Sequence, residues 1–200
     1  MSKPVVLIVD DETGVRESVR MVLKDTYDPV LVDTGEAAVA WLADNRASLM
    51  FLDILMPGMD GLEVVRRLRQ EGAVTPIVIL SSRDDEAGKV AALDLGADDY
   101  VSKPFGVEEL SARVRAALRH RLQQTGEKPL FKSGDLTMDV VRRIVTVRGE
   151  EVKLTPREYD LLRLLVSHAG KVLTHKFILK EVWGGETDVQ YLRIYIRTLR

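Results

Sequence analysis

Five short apolar runs in the first half of the chain constrain its fold more than any other feature. Runs this short, without alternating polar residues, are typical of parallel strands that are covered on both faces. Amphipathic or helix-forming stretches separate them, so that strand and helix alternate five times. The pattern predicts an α/β fold, with an open doubly wound parallel sheet and right-handed crossovers. The runs are Val5–Val9, Val30–Val32, Leu49–Leu52, Ile77–Leu80 and Tyr100–Val101.

The second half of the chain has a different pattern. A polar segment at 119–129, which contains Gly126 and Pro129, is typical of a linker. Residues 130–154 then form short alternating runs with Gly134-Asp135 and Arg148-Gly149 as turn signals, which predicts antiparallel strands. We therefore predict a first domain at 1–121, a linker at 122–129 and a second domain at 130–200.

Helices are predicted to follow these strands. The segment Thr155–Glu158 is a capping box with proline at the first helical position, and Gly170 ends that helix. A second helix is predicted to start at Thr174 and to stop at Gly184-Gly185, and a third to start at Thr187. Strands followed by helices indicate an α+β second domain.

Charge and composition narrow the classes of function. Residues 1–126 carry 15 basic and 21 acidic side chains, a net charge of -6, whereas residues 127–200 carry 14 and 10, a net charge of +4. An acidic half joined to a basic half suggests two tasks, with a polyanion as candidate partner of the basic half. The absence of cysteine excludes disulfides and thiolate metal sites. We expect a cytoplasmic protein without a membrane partner, because no apolar stretch approaches about 20 residues and no signal-peptide pattern begins the chain.

Polar side chains stand at the ends of four of the predicted strands. Asp10 and Asp11 follow the first strand, Asp53 ends the third, Ser81 ends the fourth and Lys103 follows the fifth. The carboxyl ends of parallel strands lie along one edge of the sheet, where open α/β folds bind their ligands. A single aspartate after a strand is usually a helix cap. Four strand ends together predict one ligand site.

The residue types at this site indicate phosphoryl chemistry with a metal ion. Clustered carboxylates repel one another and favour a cation, and Mg²⁺ prefers hard oxygen ligands and phosphate oxygens. Asp53, which is followed directly by a turn at 56–61, is the candidate nucleophile for an aspartyl-phosphate. Lys103 supplies a positive charge and Ser81 a hydroxyl for the phosphoryl group.

These segments resemble the receiver domain of bacterial response regulators. The resemblance spans nearly all of residues 3–121 and implies a flavodoxin-like fold with strand order 2-1-3-4-5. It implies further that Asp53 is the phospho-acceptor and that Mg²⁺ is arranged by Asp10, Asp11, Asp53 and the main-chain carbonyl of Leu55. The segments that carry it are Val9-Asp10-Asp11, Phe51-Leu52-Asp53, Met56-Pro57-Gly58-Met59-Asp60-Gly61, Ile79-Leu80-Ser81, Gly96-Ala97-Asp98-Asp99-Tyr100 and Ser102-Lys103-Pro104-Phe105.

The same resemblance implies a switch. Ser81 and Lys103 contact the phosphoryl oxygens, the Lys103–Pro104 peptide bond is cis, and the ring of Tyr100 turns inward on phosphorylation. From its spacing alone, Tyr100 is an ordinary core residue.

The resemblance also implies a dimer that forms on activation across a two-fold axis, with Lys89 facing Glu109 and Asp99 facing Arg113. From the residue types alone, the charged residues of this surface form a solvated face. The predicted dimer residues are Lys89, Asp94, Asp98, Asp99, Glu109, Arg113 and Arg119.

The last predicted helix has one apolar and one basic face. Leu192, Tyr195, Ile196 and Leu199 recur at helical spacing and are predicted to face a core. A surface row of arginines is often only a solvated face, but here a capped helix and a short turn precede it, as in a helix-turn-helix that places its second helix in the major groove of DNA. The predicted DNA-binding residues are Gln190, Arg193, Arg197 and Arg200.

The second half resembles the winged-helix effector domain of the OmpR/PhoB response regulators. This implies a regulator of transcription that has a sensor histidine kinase, promoter DNA and RNA polymerase as partners. The segment Tyr191–Ile196 is similar to regulators of potassium-transport operons, which implies such an operon as target. The family continues into a C-terminal β-hairpin, whereas this chain stops at Arg200, so a winged helix that lacks this hairpin is expected. The resemblance is carried by Leu154–Leu162, Gly170–Thr174, Val182-Trp183-Gly184 and the arginine helix.

Two alternatives stay open at this point. A Mg²⁺-dependent phosphohydrolase with an aspartyl-phosphate intermediate uses the same type of fold, but it needs a second acid two residues after the nucleophile, where this chain has Leu55. A receiver-linked interaction module without DNA binding is the other. Salt-dependent binding to duplex DNA would exclude the latter.

Overall fold

The computed structural model describes residues 3–82, 86–124, 126–185 and 188–199. The chain folds as two separate units. One unit comprises Pro4–Arg121, and the other comprises Leu122–Arg200 together with residues 1–3.

The first unit is an α/β fold in which strands and helices alternate. Its five strands form one parallel sheet in the order β2-β1-β3-β4-β5. The predicted fold class and strand order are thereby confirmed. The elements are β1 (Val5–Val9), α1 (Thr13–Leu23), β2 (Asp28–Val32), α2 (Gly35–Asp44), β3 (Leu49–Leu52), α3 (Gly61–Gln70), β4 (Ile77–Ser81), α4 (Glu86–Asp94), β5 (Asp99–Ser102) and α5 (Val107–Gln124).

The central strands β3 and β4 are buried along their whole length, as their continuous apolar sequence predicts. Two strands begin earlier than their apolar runs. Asp28 pairs with Val5 and Asp99 pairs with Val78, so β2 and β5 start at these polar residues. The backbone register sets these boundaries, and apolarity does not reveal it.

Helix α5 continues to Gln124 and therefore includes the first residues of the predicted linker. These residues are Leu122, Gln123 and Gln124, and leucine and glutamine are good helix formers. Gly126 ends the helix with a φ of 74°, and the main-chain N–H of Glu127 donates to the carbonyl of Leu122 at 2.8 Å. This bond is typical of a glycine-terminated helix.

The second unit has a four-stranded antiparallel sheet in the order β6-β7-β8-β9, followed by three helices. The turns at Gly134-Asp135 and Arg148-Gly149 lie where the sequence predicts them. The helices enclose a core cluster of Leu161, Leu164, Ile178, Leu179, Val182 and Leu192. The elements are β6 (Leu130–Ser133), β7 (Leu136–Asp139), β8 (Ile144–Val147), β9 (Glu150–Glu151), α6 (Pro156–Ser167), α7 (His175–Trp183) and α8 (Val189–Thr198).

Side-chain caps begin each of these helices. The capping box of Thr155 and Glu158 is present at α6, and Thr174 caps α7 as predicted. Helix α8 is capped by Asp188, whose carboxylate accepts from the N–H of Gln190 at 2.9 Å. The predicted start at Thr187 lies outside the described residues, and the cap itself is one residue later. No helix within the described ranges is long and apolar enough to cross a lipid bilayer.

Candidate functional site

The polar residues predicted at the strand ends converge at one edge of the parallel sheet. Asp10, Asp53 and Ser81 are buried at or just beyond the ends of β1, β3 and β4. Asp11 is exposed beside them. One carboxylate oxygen from each of Asp10, Asp11 and Asp53 lies within 4.8 Å of the others, so the three can share one metal ion.

Lys103 bridges two of these carboxylates. Its ammonium nitrogen donates to Oδ2 of Asp10 at 2.7 Å and to Oδ2 of Asp53 at 2.8 Å. Its main-chain N–H donates to the carbonyl of Ser81 at 2.9 Å, and its peptide bond to Pro104 is cis, as the resemblance implies. The lysine therefore reaches the pocket from the end of β5 and supplies a compact positive charge there.

Burial and ion pairing act in opposite directions on the pKa of Asp10 and on that of Lys103. The side chains of Asp10 and Lys103 are only 1% and 11% exposed. Burial raises the pKa of Asp10 above its usual range, and the hydrogen bond from Lys103 lowers it by less. Burial lowers the pKa of Lys103, but the hydrogen bonds to Asp10 and Asp53 and the negative charges of these two carboxylates together raise it by more, so the ammonium is charged at neutral pH.

The loop after β3 contacts Asp53 through its backbone. The N–H of Leu55 donates to Oδ1 of Asp53 at 3.3 Å, and the N–H of Gly61 donates to the carbonyl of Ile54 at 3.0 Å. Gly61, the first residue of α3, lies so close that a Cβ there would be 2.1 Å from the carbonyl oxygen of Asp53. A side chain at position 61 would displace the candidate phospho-acceptor.

In the sequence Gly61 is evident only as part of a turn motif, and a second contributor, Arg16, is not evident. The guanidinium of Arg16 donates to the main-chain carbonyl of Asp10 and to the hydroxyl of Thr13. An arginine in the first turn of the helix that follows two aspartates is a signal for such a contact. Helical periodicity alone does not reveal it.

The donor set fits a hard divalent cation. Three carboxylates offer oxygen ligands alone, which Mg²⁺ prefers, and the exposed side chain of Asp11 leaves one side open to water. Leu55 lies two residues after Asp53, and its side chain is exposed. Its main-chain carbonyl is the fourth ligand that the resemblance implies.

Tyr100 and Lys89, the predicted switch and dimer residues, are neighbours. The ammonium of Lys89 on α4 lies 5.5 Å from the ring centroid of Tyr100 on β5, within the range of a cation–π interaction. Tyr100 is half-buried rather than fully in the core.

The predicted dimer residues differ in how their charges are used within the chain. Arg113 donates to both carboxylate oxygens of Asp99, at 3.2 and 3.1 Å, and lies 3.7 Å from Glu109. Asp98 accepts from Arg69 at 2.9 Å and from the N–H of Ile77 at 2.8 Å, and so ties the start of β4 to the end of α3. Asp94 and Arg119 are exposed.

Helix α8 has the two predicted faces. Tyr195, Ile196 and Leu199 pack against the core cluster around Leu192. Gln190, Arg193 and Arg197 are exposed, and Arg200 lies outside the described residues. A cleft of about 460 Å³ beside the start of α7 is lined by both arginines and by His175. The exposed face therefore presents cations in a row, as a surface that binds DNA requires.

The chain matches two family models, and together they decide its family. Residues 6–115 match the response regulator receiver domain, and residues 149–200 match the C-terminal domain of transcriptional regulatory proteins. The chain belongs to the response regulators of the OmpR/PhoB type. As a two-component response regulator it combines a receiver with a DNA-binding domain, and this combination is consistent with regulation of transcription.

Two relatives are equally similar to this response regulator. It is 44% identical to the KDP operon transcriptional regulatory protein KdpE of Escherichia coli strain K12 over 198 residues, which cover 98% of this chain and 88% of KdpE. It is also 44% identical to the response regulator MprA of Mycobacterium sp. strain KMS over 199 residues, which cover 98% of this chain and 86% of MprA. The comparison with KdpE alone therefore does not single out a potassium-transport operon.

Solved structures of response regulators agree with both units. The OmpR/PhoB homologue DrrB of Thermotoga maritima is 27% identical with a TM-score of 0.53, and the match covers 100% of this chain and 88% of DrrB. The receiver domain of the Francisella response regulator 1452 is 29% identical with a TM-score of 0.57, and it covers 59% of this chain and 98% of that domain.

Proposed function

We propose that this response regulator accepts a phosphoryl group on Asp53 from a sensor histidine kinase and then binds promoter DNA as a dimer. The observation that carries the proposal is the buried pair of Asp53 and Lys103 beside two further carboxylates, at the sheet edge where open α/β folds bind ligands. In this proposal residues 1–121 are the receiver, 122–129 the linker and 130–200 the winged-helix domain, and the protein is cytoplasmic.

The transfer step follows from the side chains. A carboxylate oxygen of Asp53 attacks phosphorus, the bond between phosphorus and the kinase's imidazole nitrogen breaks, and that nitrogen regains a proton. Lys103 and the hydroxyl of Ser81 stabilise the negative phosphoryl oxygens. Asp10, Asp11, Asp53 and the carbonyl of Leu55 are the proposed Mg²⁺ ligands, and the ion, when bound, neutralises charge on the phosphoryl group.

Phosphotransfer is tested by mass spectrometry of the intact protein after incubation with Mg²⁺ and a small phosphodonor. We expect a mass gain of one phosphoryl group in the wild type and none in Asp53→Asn. The matched control is Asp60→Asn in the same loop, which caps α3 through the N–H of Glu63 and should still be phosphorylated. Phosphorylation of Asp53→Asn would remove Asp53 from this role.

The proposed function does not include turnover of external substrates. Leu55 stands where an aspartyl-phosphate hydrolase needs a general acid, and its side chain cannot protonate a leaving group. Steady release of inorganic phosphate from a small phosphodonor, at many turnovers per protein, would favour the phosphohydrolase instead.

The proposed switch links the phosphoryl group to the α4-β5-α5 surface. The phosphoryl group carries about 1.5–2 negative charges and replaces the single charge of the Asp53 carboxylate next to Ser81, and the ring of Tyr100 turns inward in response. A dimer would then form through Lys89, Asp94, Asp98, Asp99, Glu109, Arg113 and Arg119. Sedimentation of the phosphorylated protein tests this: Arg113→Ala should stay monomeric where the wild type dimerises.

DNA binding is proposed for the exposed face of α8. Arginine bonds guanine bidentately or contacts phosphates, so Gln190, Arg193, Arg197 and Arg200 are the proposed reading residues. Arg193→Ala should weaken promoter binding by about 1–3 kcal/mol in a gel-shift titration. Arg142→Ala, which removes an exposed arginine outside α8, is the matched control. Equal affinities of the two variants would exclude α8 as the reading helix and favour an interaction module without DNA contact.

A potassium-transport operon is our proposed target, and RNA polymerase a further partner. The support is the likeness of Tyr191–Ile196 to regulators of such operons and the identity to KdpE. Footprinting of the phosphorylated protein on its own genome tests the target. Footprints confined to other promoters would overturn this part of the proposal and leave the rest intact.

A further inference from the structure

The side chain of Glu36 on α2 reaches the loop that follows the phospho-acceptor strand. Its Oε1 accepts a hydrogen bond from the main-chain N–H of Met59 at 2.9 Å. The carboxylate also lies against Gly58, where a Cβ would be 2.8 Å from the same oxygen. The contact joins residues 23 positions apart and is therefore a tertiary one.

The first turn of α2 is packed against this loop as a whole. Gly35, the first residue of the helix, is buried, and a Cβ there would lie 2.5 Å from the carbonyl oxygen of Met59. Glycine at position 35 lets the helix approach the loop backbone, and Glu36 then bonds that backbone. Gly58, with a φ of 77°, turns the chain directly before Met59, which makes both contacts.

The loop at 54–60 is held at other points as well, because the buried side chains of Ile54 and Met56 belong to the core cluster of the first unit. The N–H of Leu55 donates to Asp53, and the N–H groups of Met56 and Gly61 both donate to the carbonyl of Ile54. These bonds fix the two ends of the loop at β3 and α3. Glu36 adds a hydrogen bond to Met59, near the α3 end of the loop, from a separate element.

We infer that Glu36 is a positioning residue for the metal site, because it holds the loop whose Leu55 carbonyl is a proposed ligand of Mg²⁺. The inference rests on the proposed function. A metal ligand on a main-chain carbonyl can be aimed only through the backbone, and Mg²⁺ demands near-ideal octahedral geometry. A residue that fixes the loop from outside therefore contributes to the affinity for the ion.

A negative charge in the first turn of a helix also stabilises that helix, and any carboxylate near a cation favours its binding. The two explanations differ in what they require of position 36. Positioning requires an oxygen that accepts from Met59, which glutamine retains. A charge effect requires the charge, which glutamine lacks.

The experiment measures the dissociation constant of Mn²⁺, which binds oxygen ligands as Mg²⁺ does, from the paramagnetic resonance of the free ion, with Mg²⁺ as competitor. We expect Glu36→Ala to raise it about three- to tenfold, the effect of one exposed charge-assisted hydrogen bond, and Glu36→Gln to stay near the wild type. Alanine is a strong helix former and position 36 is exposed, so both variants fold.

The matched control is Glu63→Ala, which removes the same charge from the first turn of α3, where the side chain pairs with Arg66. It should leave the dissociation constant unchanged. In Glu36→Ala, the Mg²⁺ concentration that gives half of the maximal phosphorylation rate should rise. The dependence of the rate on the phosphodonor concentration should stay unchanged.

Several outcomes would overturn the inference. An unchanged dissociation constant in Glu36→Ala would do so. A loss of Mn²⁺ affinity in Glu36→Gln or Glu63→Ala as large as that in Glu36→Ala would also do so, because it would show that the charge matters and not the hydrogen bond. A wild-type protein that does not bind Mn²⁺ competitively with Mg²⁺ would overturn the proposed metal site, and this inference with it.

Discussion

The ammonium nitrogen of Lys103 lies 2.8 Å from Oδ2 of Asp53, and both side chains are about nine-tenths buried or more. The same ammonium also bonds Asp10. In the absence of metal, one lysine thus compensates two buried carboxylates. Since Mg²⁺ would bind those same carboxylates, the lysine and the ion would both stabilise the pocket by compensating the negative charge of the carboxylates.

Replacement of Lys103 by methionine should therefore make the stability of the receiver depend on metal. Without Mg²⁺ we expect a loss of about 3–5 kcal/mol in the free energy of unfolding, because two buried carboxylates lose their cation. Saturating Mg²⁺ should restore part of this loss. Urea unfolding followed by Trp41 fluorescence in a Trp183→Phe background measures both values. Equal losses with and without Mg²⁺ would contradict the shared role.

The stability of the metal-free receiver should fall at alkaline pH. Burial lowers the pKa of Lys103, but its hydrogen bonds to Asp10 and Asp53 leave it above the ordinary value of 10.5. The stabilisation by this group is fully present below 10.5 and is lost as the pH rises through the higher pKa of the folded state. Unfolding free energies over this range should decrease more steeply in the wild type than in Lys103→Met. Parallel curves would show that Lys103 does not titrate in this way.

The close approach of Gly61 to Asp53 predicts a large effect of one methyl group. In Gly61→Ala the Cβ would lie 2.1 Å from a carbonyl oxygen, so the backbone must move. We expect a loss of about 1–3 kcal/mol in stability and slower phosphorylation, because Asp53 is displaced. Gly106→Ala is the matched control, since nothing lies within 4 Å of its Cβ. Wild-type phosphorylation in Gly61→Ala would show that the strand end tolerates the shift.

Asp98 should contribute to the stability of the monomer, independently of any role in a dimer. Its carboxylate bonds Arg69 and the N–H of Ile77, and the side chains of Asp98 and Arg69 are 32% and 24% exposed. We expect Asp98→Asn to lower the stability of the monomer by about 1–2 kcal/mol. Asp94→Asn, an exposed position on α4, is the control. Thermal unfolding of the unphosphorylated protein measures both variants. Equal unfolding midpoints of Asp98→Asn and Asp94→Asn would show that Asp98 does not stabilise the monomer, and only its proposed role in the dimer would remain.

The sequence predicts the first unit well because its signals are local. Continuous apolar runs identify the five strands, and the residues at their ends identify the pocket, since parallel strands bring their carboxyl ends together. Contacts between distant segments are not local. The hydrogen bonds that Arg69 donates to Asp98 and that the N–H of Met59 donates to Glu36 depend on how α3 and α2 pack, which no periodicity encodes.

The second unit shows the same limit. Glycine turns and a capping box mark its strands and its first helix. The start of α8, in contrast, depends on which of two neighbouring polar residues caps the helix, and Asp188 does so. The positive φ of Arg143, 56°, is a further feature that sequence does not announce, because this conformation usually favours glycine or asparagine.

The side chain of Arg143, whose backbone has this positive φ, is held by two contacts. Its guanidinium carbon lies 3.9 Å from the ring centroid of Tyr159, and one nitrogen is 3.5 Å from Oδ1 of Asp160. The side chains of Arg143 and Asp160 are only 11% and 2% exposed. A buried pair of this kind costs most when one partner is removed, because the other charge stays buried.

Asp160→Ala should therefore destabilise the second unit by about 3–5 kcal/mol, since Arg143 would be left without its counter-charge. The double variant Arg143→Leu and Asp160→Leu should cost less than Asp160→Ala, because neither buried charge remains. Urea unfolding followed by Trp183 fluorescence in a Trp41→Phe background measures each variant. Arg148→Ala, which breaks an exposed pair with Asp135, is the control and should change stability little. If the double variant were the less stable, the pair itself, with the cation–π contact to Tyr159, would be contributing more than the burial of its charges costs.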